Sequence, residues 1–129
     1  MRKTNVLTKQ EIKMINTFVK KERSERLLFE FSKDRNRAID RFSHNVEEIL
    51  NVSFIVKKTK MISDVKDFLN GIKSIYVSSL YDDGGKNMET DAFLEYIQES
   101  FGPIVGSTVF NVAVIKDEDG YLYLLKEKE

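Results

Sequence analysis

The sequence predicts an α+β fold, with N-terminal helices packed on a small, mainly antiparallel sheet of three to four strands ending in a C-terminal β-hairpin. Three observations carry that expectation. Apolar residues recur at helical spacing up to residue 50, and β-branched and aromatic runs dominate the end of the chain. An Asp-Gly pair, Asp119-Gly120, separates the last two of those runs. With 129 residues, of which 41% are hydrophobic, one domain spanning 1–129 is expected, helical over about 8–50 and strand-rich over about 53–127.

Each element has its own signal. Thr8 and Glu11 form a capping-box pattern, and Ile12, Ile15, Phe18 and Val19 follow at helical spacing, predicting a helix over about 9–22. Leu27, Leu28, Phe29 and Phe31 do not continue that stripe, so a bend is expected near Ser24 before a second helical stretch. Ser32 reads as an N-cap, with Asp34 in the first turn. Behind it Ala38, Ile39, Phe42, Val46, Ile49 and Leu50 fall within about 120° on a helical plot, predicting one long helix to about residue 50. Residues 53–56 read as a short extended segment. Ser63 is placed to cap a helix carrying Val65, Phe68, Leu69 and Ile72, with Gly71 at its end. A strand is expected over 75–80, then a loop over 81–87. A helix from Thr90 follows, bearing Phe93, Leu94, Ile97 and Phe101, and Gly102-Pro103 stops it. Two strands, 108–115 and 121–126, close the chain around Asp117-Glu118-Asp119-Gly120.

Composition narrows the chemistry. There is no Cys and only one His, which removes common Cys/His zinc sites and any cysteine nucleophile. A Ser-His-Asp triad would have to use His44, and the adjacent Ser43 points elsewhere on a helix. No nucleophile elbow, P-loop or dinucleotide fingerprint occurs. No cofactor is called for, and the protein is expected not to be an enzyme. The lack of Cys, of a signal-like apolar stretch in residues 1–8 and of any membrane-length apolar run leads us to expect a cytoplasmic protein that does not engage membranes. Lys-, Asn- and Ile-rich usage fits an AT-rich genome, as in a low-GC bacterium or its phage.

The net charge of zero conceals a division. Residues 1–60 hold 15 basic and 8 acidic residues, a net of +7, whereas 61–129 hold 6 and 13, a net of −7. The halves either complement each other within the fold or between copies, or one offers a basic surface to an acidic partner. Homo-oligomers are compatible with that polarity.

Four groups are candidates for function. Arg37, Arg41 and His44 share a helix face with Glu48, opposite the apolar stripe; guanidinium forks there could hold phosphate or carboxylate. The same pattern also describes a solvated face laced with i,i+4 pairs. The row from Arg2 to Arg26 is rich in Lys and Arg but interrupted by acids, as a dedicated nucleic-acid binder would not be. Asp82 and Asp83 could hold Mg²⁺ without matching an EF-hand, or simply form a turn. Tyr121 and Tyr123 alternate with Leu122 and Leu124, so both strand faces are apolar or aromatic. Either a second layer of the fold covers the tyrosine face, or it is a binding surface, with the strand itself open at a sheet edge. The reading that follows is a protein that binds a partner protein and inhibits, tethers or regulates it. The alternative is a nucleic-acid-associated protein, such as a metal-dependent nuclease using Arg37, Arg41, His44 and the Asp82-Asp83 loop.

Overall fold

The first helix and the expected long helix to residue 50 are shorter than the periodicity predicts, because specific hydrogen bonds break them. The structure, a computed structural model, describes residues 9–79, 86–99, 104–107, 112–117 and 119–127. Helix α1 (Lys9–Phe18) ends where Val19 forms an isolated antiparallel bridge with Leu50. Around that bridge Lys20 N–H donates to Ile49 C=O at 2.8 Å, and Asn51 N–H donates to Phe18 C=O at 2.8 Å. The bend therefore lies at Val19-Lys20 and not at Ser24. Ser24 stays inside α2 (Lys21–Lys33), its hydroxyl donating to Lys21 C=O. The Thr8–Glu11 cap lies outside the described residues and side chains.

Asp34, not Ser32, is the N-cap of α3 (Arg35–His44). Its carboxylate accepts Arg37 N–H at 3.2 Å, while the Ser32 hydroxyl donates back to Phe29 C=O. The expected long helix breaks at Asn45, whose side-chain amide donates to Arg41 C=O and competes with the backbone ladder. A single turn, α4 (Val46–Ile49), and a 3-10 turn (Val52–Phe54) follow.

The sheet has six antiparallel strands among the described residues, more than the three or four expected. They are β1 (Ile55–Thr59), β2 (Ser74–Ser79), β3 (Lys86–Glu89), β4 (Ile104–Ser107), β5 (Val112–Lys116) and β6 (Leu122–Lys126), in spatial order β1-β6-β5-β4-β2-β3. Two strands escaped the sequence reading. The polar β3 has no apolar alternation, and β4 has only four residues. The run expected over 108–115 overlaps β5, which ends at Lys116, while residues 108–111 lie outside the described set. The short helices α5 (Ile62–Phe68) and α6 (Thr90–Glu99) complete the chain. No helix among the described residues is long and apolar enough to cross a membrane.

Helices cover both faces of the sheet. One core joins α1–α4 to Val105, Ala113, Ile115, Tyr123 and Leu125, with Phe18, Phe31 and Phe42 fully buried in it. The other joins α5 and α6 to Ile75, Val77, Ile104, Val112, Val114, Leu122 and Leu124. Strict alternation along β5 and β6 sends successive residues to opposite cores, as a central strand with two covered faces requires. Gly106 permits the second core to close: a Cβ there would lie 3.0 Å from both Ile75 and Phe93.

This architecture corrects the placement of the hairpin. β6 is not at an edge, because it pairs with β5 on one side and β1 on the other. β1 occupies that edge, with a register irregularity between Ile55 and Lys57 and with lysines at 57, 58 and 60. A bulged, lysine-rich edge resists pairing with a further strand.

Candidate functional site

The hairpin turn forms as its Asp-Gly pair predicts. Gly120 has φ +88°, and Asp117 N–H donates to Tyr121 C=O at 3.0 Å. The Asp117 carboxylate, on a residue only 7% exposed, folds back into the turn and accepts Asp119 N–H at 3.0 Å and Tyr121 N–H at 2.9 Å. Its other oxygen lies 3.2 Å from the Tyr123 hydroxyl. Glu47, at the start of α4, approaches the same hydroxyl at 3.2 Å and receives a 2.7 Å hydrogen bond from Lys58 of β1. Helix, edge strand and hairpin are thus tied through the Glu47 carboxylate and the Tyr123 phenol.

A cleft of about 250 Å³ opens beside this network, and His44, Tyr121 and Tyr123 all line it. Tyr121 is 36% exposed, with the Lys58 and Lys60 ammonium groups 4.6 and 4.4 Å from its ring centre. Tyr123 is 3% exposed, covered by the helical layer. Burial, reinforced by the charges of Asp117 and Glu47, pushes its hydroxyl up to about 12 against the opposing pull of Lys58. The hydrogen bond to Lys58 holds the Glu47 carboxyl below its ordinary range, and the reciprocal bond raises the Lys58 ammonium. At neutral pH the phenol is therefore a protonated donor between two carboxylates, which suits a structural strut and not a base or nucleophile. His44 Nε2 lies 3.6 Å from Asp40 Oδ2 at the i,i+4 spacing visible in the sequence.

Arg37 and Arg41 open elsewhere, into a groove of about 290 Å³ between α2 and α3. Arg41 bonds to Glu30 of α2, and Arg26 stands 3.9 Å from the same Glu30 oxygen. Asp34 is engaged as the α3 cap. The Arg37 guanidinium has no ion-pair partner among the described residues. On the rim stands Phe29, 59% exposed, with the Lys33 ammonium 5.4 Å from its ring centre.

The five residues singled out in the sequence consequently form two groups, Arg37 with Arg41 and His44 with Tyr121 and Tyr123. The expected helix face does not continue to Glu48, since Asn45 interrupts it. Asp82 and Asp83 lie outside the described residues. Among the described residues, no three His, Asp or Glu side chains are placed to hold a metal ion.

Phe29 was missed as a surface candidate, although its signal is present. Leu27 and Phe31 are four apart and both buried. Phe29 is two residues from each, roughly 200° around the helix, and must face away from them. Asp117 was readable as a turn residue, but its bond to Tyr123 depends on the hairpin register. Comparison with family models, with curated proteins and with solved structures finds no match for this chain.

Proposed function

We propose that this protein is a non-enzymatic interaction module that regulates a partner protein by binding it through the α2–α3 surface. The observation that carries this reading is the exposed Phe29 ring on the rim of a groove lined by Arg37 and Arg41. An aromatic anchor beside arginines has the composition of a protein-binding hot spot. Support also comes from the hairpin cleft, where the conspicuous polar groups are absorbed in holding the fold together.

The test is to place a photo-crosslinking amino acid at position 29 and irradiate the full chain in host lysate treated with nuclease. A single protein cross-linked in stoichiometric yield, and absent when the crosslinker is moved to the exposed Lys13 position, is the expected result. Cross-linking to no protein would overturn the reading. Recovery of nucleic acid from untreated lysate, lost at high salt, would replace it with a nucleic-acid-associated function centred on Arg37, Arg41 and His44.

A further inference from the structure

Resting on that interaction reading, we infer that the α2–α3 groove receives an acidic segment of the partner carrying an apolar side chain, its carboxylate on Arg37 and its apolar group against Phe29. The groove's charge arrangement points to this occupant. Its two carboxylates already serve the fold, Glu30 with Arg41 and Arg26, and Asp34 with the α3 backbone. Arg37 and Arg41 line the same space, and Arg37 has no carboxylate of its own among the described residues. A guanidinium fork is matched by a carboxylate in two-point geometry.

The shape of the groove favours the same occupant. The volume of about 290 Å³ lies just below the ~300–1,000 Å³ of small-molecule sites and admits one or two side chains. Ala38, itself buried, lies in its wall and adds no bulk to the space. Phe29 and Lys33, one turn apart on α2, put an apolar surface and a cation side by side. The open sheet edge at β1 is a poor competitor, since its bulge and lysines discourage strand addition.

The experiment uses the ¹⁵N-labelled full chain and a small set of glutamate-rich peptides that differ in the spacing between the glutamates and a single phenylalanine. Two control peptides replace the glutamates by lysines or the phenylalanine by serine, and a single-stranded oligonucleotide is the final arm. At least one acidic peptide should perturb amide resonances along residues 29–41. Its Kd should rise about tenfold in Phe29→Ser and again in Arg37→Ala, and both control peptides should bind more weakly by similar factors. Both substituted side chains are exposed, so unchanged thermal midpoints will show that the variants are folded. Perturbations elsewhere, equal binding by the lysine peptide, or none with any acidic peptide would overturn the inference. So would an oligonucleotide that alone perturbs these residues. Cross-linking at position 29 to a protein without an acidic segment would leave the interaction reading standing while this inference falls.

Discussion

The hairpin cleft and the α2–α3 groove both gather charged and aromatic side chains, yet they differ in where the partners of those side chains lie. At the cleft, Asp117, Tyr123, Glu47 and Lys58 satisfy one another across three elements distant in sequence. In the groove, Glu30 and Asp34 are satisfied locally, while Phe29 and Arg37 face solvent. Aromatic and ionic character alone therefore does not mark a binding surface. What separates the two regions is whether the fold has already used the groups. Substitutions in the cleft should cost stability, and substitutions in the groove should cost only binding.

The largest effect should come from Asp117. Replacing it by Ala removes the acceptor for two backbone N–H groups and the partner of a buried phenol. Leaving such donors unsatisfied costs about 3 kcal/mol, equivalent to a fall of about 10 °C in the thermal midpoint. Asp117→Asn keeps a carbonyl acceptor for the turn and should lose only about 1 kcal/mol. Urea denaturation of both variants is the measurement. Equal losses would mean that charge, and not the acceptor geometry, holds the turn.

Much of this contrast was readable in the residues, but only where the signal is local. The α+β class, the Asp117–Gly120 turn, the strand near Ile75 and the helix at Thr90 all follow from short-range pattern. The apolar character of both faces of 121–126 already raised the possibility of a second covering layer, and α1–α4 supply it over Tyr123. The breaks at Val19 and Asn45 were not legible. The first depends on a bridge to Leu50, and the second on one side-chain amide choosing Arg41 C=O. β3 was hidden because an edge strand with polar residues has no period to detect. The meeting of His44 with Tyr121 and Tyr123 was invisible because it depends on β1 entering the sheet beside β6 and on α4 packing over Tyr123.

Tyr123→Phe tests the cleft at a single hydroxyl. It keeps the buried ring and removes only the hydroxyl shared between Glu47 and Asp117, for a loss of about 1 kcal/mol. Its pH dependence is more specific. The hydroxyl is held at about 12 in the fold against an ordinary 10.0, so folding favours its neutral form. That contribution is complete below about pH 10 and is lost as pH rises towards about 12. The raised Lys58 ammonium acts in the same direction, so some alkaline loss will persist in the variant. Urea midpoints collected from about pH 9 to about pH 12 should fall less steeply for Tyr123→Phe than for the wild type. Parallel curves would show that the phenol titrates as in the unfolded chain, removing it from the strut.

The smallest stability effect, and the one that most directly challenges the contrast, is expected for Phe29→Ser. The ring is 59% exposed, and serine and phenylalanine have similar helix propensities. Its contact with the Lys33 ammonium is a surface cation–π pair, worth about 0.5 kcal/mol. The thermal midpoint should therefore change by no more than about 2 °C. Losing a large exposed apolar side chain at so little cost would mean that the fold does not need it, which is the condition for calling it available to a partner. If Phe29→Ser instead matched Tyr123→Phe in stability loss, the ring would belong to the margin of the helical core. The groove would then resemble the cleft, and the division between used and unused groups would fail where the interaction reading depends on it.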